Sequence, residues 1–262
     1  MTAMLTIEQP AYFDRLAEIE AEHWWSRGMW RLGAHWLDVA LRGRRGLAAL
    51  DVGCGTGQTA LRLARRLEVE SVVGVDPSAE ALAHARRRHA LPLVQGSVLD
   101  LPFHNSSFDV VTCFDVLQHL PFGEDRRAAA ELRRVLGPGG VALVRSNASG
   151  WGAGPSASAA EEGYRLDDLT AVFAASGLTV VRATLANCLP ALAQELRGRL
   201  FSTSRTDARS HPSGGGLRIR MPPRWLNQLM GSVAAAEAVV AGRLATPLPF
   251  GHSTMLLACR DA

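Results

Sequence analysis

Short, mostly apolar runs alternate with segments of helical periodicity through the middle of the chain, between residues 46 and 183. The apolar runs have the length of buried strands, and the intervening segments carry apolar residues at helical spacing. The pattern predicts strands near residues 47–52, 71–76, 91–96, 108–114, 141–147, 177–184 and 253–260, and helices near residues 57–68, 79–89, 124–136 and 166–176. Such alternation is typical of right-handed crossovers between parallel strands. It predicts an α/β fold with a seven-stranded, mostly parallel, doubly wound sheet and helices on both faces.

Three regions depart from this alternation. Residues 11–42 are predicted to be helical, and their four tryptophans recur at spacings that place most of them toward one side. Residues 148–164 are rich in Gly, Ser and Ala, which predicts a loop. Residues 185–250 hold helical segments around a weak stretch, residues 202–216, which we expect to be a disordered loop. An insertion there, with the N-terminal helices, would cover the strand ends where ligands bind in open α/β sheets.

We therefore predict one domain over residues 1–262. Its parts are an N-terminal helical cap (1–45), a ligand-binding core (46–184), a helical lid (185–250) and a last strand (251–262).

A glycine-rich turn follows the first core strand. Residues 50–57 read Leu-Asp-Val-Gly-Cys-Gly-Thr-Gly, and a helical pattern begins directly after them. Glycine permits positive φ and lets a ligand approach the backbone closely, and the helix start offers free N–H groups. Asp76 ends the second apolar run, where an acid can accept hydrogen bonds from both hydroxyls of a ribose. The two features together predict a site for a nucleoside-like ligand.

The glycine spacing narrows the choice of nucleoside. The dinucleotide fingerprint is G-x-G-x-x-G, whereas Gly53, Gly55 and Gly57 form G-x-G-x-G, which argues against NAD. Four segments, in order and spacing, resemble the class I S-adenosylmethionine-dependent methyltransferases: residues 50–57, 95–103, 107–120 and 136–144. The resemblance covers residues 46–183 and implies a Rossmann-like sheet whose last strand is antiparallel.

The two ends resemble a bacterial subset of the same family. Residues 22–31 are similar to an H-W-W segment that precedes the core in those proteins, here His23-Trp24-Trp25, and residues 247–253 are similar to the turn before their last strand. The resemblance to this subset implies a bacterial small-molecule methyltransferase, and it bears on the fold more than on the substrate.

The resemblance assigns the methionine portion of S-adenosylmethionine to the glycine-rich turn. Gly53, Cys54, Gly55 and Gly57 would line it, and Asp51 would steer the amino group of the donor, directly or through water. Tight packing is the structural alternative for the glycines.

The nucleoside portion is assigned to the next two strand ends. Asp76 would hold the ribose, with Pro77 packed nearby, and Val98 would present a backbone N–H to the adenine. Many relatives carry an acid where this chain has Ser97, whose hydroxyl accepts a hydrogen bond without charge. A helix cap is the structural alternative for Asp76.

The methyl group and the carboxylate of the donor complete the expected site. Phe114 and Asp115 would lie beside the amino acid and the methyl group. Arg27 and Arg31 are candidates for the donor carboxylate, which suits an arginine fork, with surface ion pairing as the alternative. Trp25 would close over the donor, or pack in the core of the cap.

Methyl transfer from a sulfonium needs a base only when the acceptor must lose a proton. His119 follows the fourth core strand and is the first candidate for that base, and His23 in the cap segment is the second. A structural or donor-contacting role is the alternative for each. Four further residues are weaker candidates, and a structural role fits them better: Tyr12, Glu20, Tyr164 and His252.

Composition limits the partners. The chain has 28 basic and 25 acidic residues, a net charge of +3, which gives no reason to expect nucleic-acid binding. Its four cysteines form no C-x-x-C pair, so neither a metal site nor a disulfide framework is expected. The first residues lack a signal-peptide pattern, and no run approaches the roughly 20 apolar residues that span a bilayer. We expect a cytoplasmic monomer or homodimer without a membrane span.

The sequence thus predicts an S-adenosylmethionine-dependent methyltransferase that acts on a small-molecule acceptor, in the bacterial biosynthesis of a natural product. The tryptophan-rich cap favours an acceptor with apolar or aromatic surface. Two alternatives remain open. One is a donor-binding protein of the same fold that catalyses a reaction other than methylation, and the other is an RNA methyltransferase.

Overall fold

The computed structural model describes residues 5–6, 11–149, 163–192, 216–217 and 221–261. Most of the expected loop at residues 148–164, and all of the expected disordered stretch 202–216 except Gly216, lie outside the described residues.

The nine described strands are β1 (Leu5–Thr6), β2 (Leu47–Val52), β3 (Val69–Asp76), β4 (Leu93–Gln95), β5 (Phe108–Phe114), β6 (Leu136–Asn147), β7 (Thr179–Ala186), β8 (Gly216–Leu217) and β9 (Ser253–Cys259). The helices with described bounds are α1 (Ala11–Glu22), α2 (Trp24–Ala40), α3 (Gln58–Arg66), α4 (Ala79–Arg88), α5 (Asp125–Val135), α6 (Leu166–Ala175) and α7 (Arg224–Arg243). A short 3₁₀ helix covers Leu117–His119.

Seven strands form one sheet in the order β4-β3-β2-β5-β6-β9-β7. The strands from β4 to β6 pair in parallel, and β9 lies antiparallel between β6 and β7. This confirms the predicted doubly wound sheet and its antiparallel last strand. Strand order reverses between β2 and β5, and ligands of open α/β sheets bind at such a switch point. The two-residue pair of β1 with β8 was not predicted from the sequence.

Side chains from neighbouring positions of the central strands enter two different cores. Val110 belongs to the cluster under α2 and α3, whereas Val111 belongs to the cluster under α5 and α6. In β9, Leu257 belongs to the cluster under α2 and α3, and its neighbour Leu256 belongs to the cluster under α5 and α6. Side chains alternate between the faces of a strand, so a sheet covered on both faces needs apolar residues at consecutive positions. This explains why the strands appear in the sequence as continuous apolar runs.

The predicted N-terminal helices are present, and α2 packs on α7. The two helices approach closely at Gly28, where a Cβ atom would lie 2.6 Å from Cβ of Ala234. Only glycine permits that approach without a shift of one helix. Within the described residues, no helix is both long and apolar enough to cross a membrane.

Arg62 of α3 forms hydrogen bonds with the junction between α1 and α2. Its guanidinium donates to the carbonyl oxygen of Glu20 at 2.6 Å and to Oγ of Ser26 at 3.2 Å. The Ser26 hydroxyl donates in turn to the Glu20 carbonyl at 2.6 Å. Burial lowers the pKa of Arg62 to about 10, so the side chain remains charged near neutrality. One buried cation therefore joins the α1–α2 junction to the first crossover helix of the core.

We predict that Arg62→Met lowers the free energy of unfolding by about 1.5–3 kcal/mol, because carbonyl groups at the cap junction lose a charged donor. Urea unfolding followed by circular dichroism measures the change. Arg65→Met, on the same helix but exposed, is the matched control and should change stability by less than about 0.5 kcal/mol. Equal effects of the two substitutions would contradict the role given to Arg62.

Candidate functional site

The turn between β2 and α3 exposes backbone where a side chain would not fit. Gly53, Gly55 and Gly57 all have positive φ, at 68°, 51° and 82°. At Gly53 a Cβ atom would also lie 2.2 Å from Cγ2 of Val116. Positive φ and the absence of space together require glycine at this position. The result is a bare loop at the carboxyl end of the central strand.

Asp76, at the end of β3, holds this loop in place. Its Oδ2 accepts a hydrogen bond from the Gly55 N–H at 2.9 Å, and its Oδ1 accepts one from the Ser78 N–H at 2.9 Å. Burial raises the pKa of Asp76, and the two backbone donors oppose that rise. Each carboxylate oxygen has a second lone pair, so the side chain retains acceptor capacity toward a bound ligand.

Asp51 lies at the end of β2 and is 2% exposed. Its Oδ1 accepts a hydrogen bond from Oγ1 of Thr112 at 2.7 Å, whereas its Oδ2 is buried without a well-formed hydrogen bond to any described residue. The Ala60 N–H gives the carboxylate only minor support. Burial raises the pKa of Asp51 to about 7, and the Thr112 hydroxyl opposes that rise. A buried oxygen with spare acceptor capacity indicates a position where a ligand supplies the missing donor.

These groups share one cavity of about 560 Å³. Its floor contains Asp51, Gly53, Cys54 and Gly55, and Asp76 lies beside them. Helix α1 and the start of α2 close the opposite side with residues that include Tyr12, Phe13, Leu16, Glu20 and Trp25. Cavities of 300–1,000 Å³ suit ligands of nucleoside size and larger.

A buried cation lies at the far end of the cavity. Arg145 of β6 pairs with Asp115, donating from Nε to Oδ1 at 3.2 Å and from Nη2 to Oδ2. Its guanidinium carbon lies 4.2 Å from the ring centroid of Trp25 and 5.0 Å from that of Phe114. Asp115 itself has a φ of 57°, a strained conformation for a residue other than glycine. Trp25, Phe114 and Asp115, three of the predicted residues, therefore meet around one arginine.

His119 lies on the 3₁₀ helix after β5 and lines the cavity, with much of its surface exposed. Partial desolvation lowers the pKa of its imidazole, so the ring is neutral near pH 7. Its neighbour Gln118 is held in place, since its Oε1 accepts from Oγ of Ser146 at 3.0 Å and from the Asn147 N–H at 2.9 Å.

Two predicted residues lie outside this cavity. His23 is the N-cap of α2, and its Nδ1 accepts from the Trp25 N–H at 3.2 Å. Arg31 lines a separate cavity between α2 and α7 and donates to the carbonyl oxygen of Gly231 at 3.3 Å. The base role for His23 and the carboxylate role for Arg31 do not fit these positions, because each side chain is directed into contacts of the cap.

Four further predicted residues lie next to the cavity rather than on its wall. Gly57 is the N-cap of α3 in the left-handed conformation, and Pro77 accepts from Nε2 of Gln95 at 3.0 Å. Ser97 accepts from the Leu99 N–H at 3.2 Å, and Val98 is 5% exposed. The Ser97 hydroxyl therefore stabilises its own turn.

The structure adds residues to the predicted site. Two of them are Glu20, which the sequence suggested only as a weaker base candidate, and Arg145, which no motif marked, and both line the cavity. The sequence carried one usable signal for Arg145: a charged residue near the end of an otherwise apolar strand, next to the switch point. The sequence carried no such signal for Glu20, because acidic residues are common on amphipathic helices.

Comparison with known proteins agrees with this geometry. Residues 49–140 match the family model described as a methyltransferase domain. The 2-phytyl-1,4-naphtoquinone methyltransferase of Trichormus variabilis is 36% identical over 153 residues, which cover 53% of this chain and 65% of that protein. The chain thus spans slightly less than two thirds of that relative.

Solved structures show the same fold. A putative sarcosine dimethylglycine methyltransferase from Galdieria sulphuraria has a TM-score of 0.58 at 18% identity, covering 98% of this chain and 92% of that one. The [4+2]-cyclase SpnF has a TM-score of 0.54 at 22% identity, covering 87% and 81%. The sheet and its glycine-rich loop define a Rossmann-like α/β protein. In sequence, residues 49–140 are similar to a methyltransferase domain, and the chain is similar to the quinone methyltransferase named above.

We predict that Asp76→Asn weakens the binding of S-adenosylhomocysteine at least about tenfold, because the amide carries no charge and its NH₂ group opposes a backbone donor. Isothermal titration calorimetry measures the dissociation constant. Glu70→Gln, exposed on the same strand, is the control and should leave binding unchanged. Unchanged binding to the Asp76 variant would remove this residue from the site.

Proposed function

We propose that this protein is an S-adenosylmethionine-dependent methyltransferase that acts on a small-molecule acceptor in the bacterial biosynthesis of a natural product. The observation that carries the proposal is the single cavity in which the bare glycine-rich loop, the under-bonded Asp51 carboxylate and Asp76 meet an aromatic end wall. The quinone methyltransferase among the relatives supports the class of reaction.

The residues present fit the donor. Gly53 and Gly55 line the cavity without side chains, Asp51 offers a buried acceptor for an ammonium group, and Asp76 offers acceptors for hydroxyl groups. The donor supplies an activated methyl group on a sulfonium centre, so the protein has to align the acceptor and exclude water. Helix α1 and Trp25 cover the cavity and would supply that exclusion.

The aromatic end wall supports an acceptor with apolar or aromatic surface. Trp25 and Phe114 line this end, and Tyr12, Phe13 and Leu16 of α1 continue the apolar lining. Trp25 is fixed in position, since its Nε1 donates to Oγ of Ser253 at 3.4 Å. Aromatic and apolar side chains at a cavity wall favour contact with flat apolar ligands. Phenols and quinols are therefore the first acceptors to test.

The cap and the lid are part of the same proposal. We infer that residues 1–45 and 185–250 belong to one domain with the core, since α2 and α7 pack on each other and on the sheet. All four cysteines are free thiols, which supports a reducing compartment such as the cytoplasm. The near balance of charge supports a small molecule rather than RNA as acceptor.

A donor-binding protein with another reaction is the second candidate, because the likeness to a [4+2]-cyclase shows that this fold is compatible with other chemistry. Incubation with methyl-labelled S-adenosylmethionine and a panel of small phenols and naphthoquinols separates the two. We expect the label to appear in an acceptor that gains one methyl group by mass spectrometry. Turnover of an acceptor with all of the label retained in the donor would favour the second candidate.

We predict that His119→Ala lowers kcat by about 10²- to 10⁴-fold for an acceptor that must lose a proton. The neutral imidazole is the active form, so activity should be retained at pH 7 and fall as the pH drops below the lowered pKa of this residue. A kcat–pH profile of the wild type and the variant provides the check. His104→Ala, outside the cavity, is the matched control, and full activity of the His119 variant would exclude the base role.

A further inference from the structure

Helix α1 places a carboxylate directly over the glycine-rich loop. Glu20 accepts a hydrogen bond from Oγ1 of Thr56 through its Oε2 atom. Its Oε1 lies 3.7 Å from the position that a Cβ atom on Gly55 would occupy, and it makes no hydrogen bond with a described residue. Glu20 lines the cavity, so this oxygen is available to a ligand that lies on the loop.

Glu20 and its charged neighbours in the cavity include more acidic than basic side chains. Asp51 and Asp76 contribute from β2 and β3, and both interact electrostatically with Glu20. Arg62 and Arg145 contribute positive charge from α3 and β6. Both arginines already have partners: Arg62 binds the backbone and hydroxyl of the cap junction, and Arg145 pairs with Asp115. The buried Oδ2 of Asp51, without a well-formed hydrogen bond, is an independent sign that a positively charged or donating ligand belongs here.

We propose that Glu20 is a specificity-determining residue of the donor site, whose carboxylate recognises the positive charge of a sulfonium nucleoside and favours it over the uncharged thioether product. The inference rests on the proposed function and extends it, because it assigns to the cap helix a part in choosing between donor and product.

The physical basis is the difference in charge between the two ligands. S-adenosylmethionine and S-adenosylhomocysteine share the ammonium, the carboxylate and the nucleoside, and they differ by the methyl group and the positive charge on sulfur. A carboxylate in a partly desolvated cavity interacts with that charge more strongly than one in water. Glu20 would therefore strengthen the binding of the donor and leave that of the product less affected, which would also help product release.

Protonation provides a second signature. The titratable and charged groups that face Glu20 are Tyr12 on its own helix, Cys54 of the glycine-rich loop, Asp51, Asp76, Arg62 and Arg145. Burial raises the pKa of Glu20 to about 7. The carboxylate form binds a cation and the neutral form does not, so the affinity for the donor should rise as the pH increases from 6 to 8. Asp51 also titrates near 7, so removal of Glu20 should reduce this slope without abolishing it.

The test is calorimetric titration of the full chain with S-adenosylmethionine and, separately, S-adenosylhomocysteine. Glu20→Gln retains the acceptor for the Thr56 hydroxyl but removes the charge. We expect it to weaken donor binding by about tenfold or more and product binding by less than about threefold. Glu18→Gln, exposed on the same helix, is the matched control and should change neither affinity.

Glu20→Asp keeps the charge, so it should preserve the ratio of the two affinities even if both fall. Glu20→Asp also tests the inference if Glu20→Gln fails to fold. The inference would be overturned if Glu20→Gln left the ratio of the two affinities unchanged. It would also be overturned if Glu20→Asp altered this ratio as strongly as the loss of the charge is expected to alter it. Failure of the wild type to bind either ligand would instead refute the proposed function, so the two failures are distinguishable.

Discussion

The hydrogen bond between the Asp76 carboxylate and the Gly55 N–H is the interaction on which the site depends. It joins residues 21 positions apart and brings the ends of two parallel strands into one surface. The register of β2 with β3 pairs Asp51 with Gly74 and Val52 with Val75, so the two strands end side by side. The glycine-rich loop then has a fixed anchor, and its positive φ values expose backbone to the cavity rather than side chains.

This arrangement gathers carboxylates where each disfavours the ionisation of the others. Burial is the main cause of the raised pKa values of Glu20 and Asp51, and the neighbouring acids add to it. Such a cluster costs stability, since charge has to be held in a partly desolvated space. A cationic ligand removes that cost, so binding and stabilisation should be strongly coupled.

The sequence predicted most of the core because the information there is local. Continuous apolar runs identify strands covered on both faces, and the glycine spacing identifies the loop between β2 and α3. The antiparallel position of β9 came only from the family resemblance, since no local pattern distinguishes its direction. The pair of β1 with β8 was not predicted, because two-residue strands leave no periodicity.

The cap was predicted less well, for a physical reason. The direction of a side chain on α1 or α2 depends on how these helices rotate against α3 and α7, which is a long-range packing property. His23 is used to begin α2 and Arg31 faces α7, although both have the chemistry expected of site residues. Glu20 reaches the cavity through the same packing, across 36 residues to Thr56, whereas Arg145 of β6 is placed by the sheet and pairs with Asp115 across 30 residues.

The place of β9 in the sheet has a consequence for biosynthesis of the chain. This strand is synthesised after β6 and β7 but lies between them, and its Ser253 holds the indole of Trp25. During translation the sheet remains open at this point until residues 253–259 have left the ribosome. The indole of Trp25 can be held by Ser253 only after that, so the aromatic end of the cavity is completed after the glycine-rich loop.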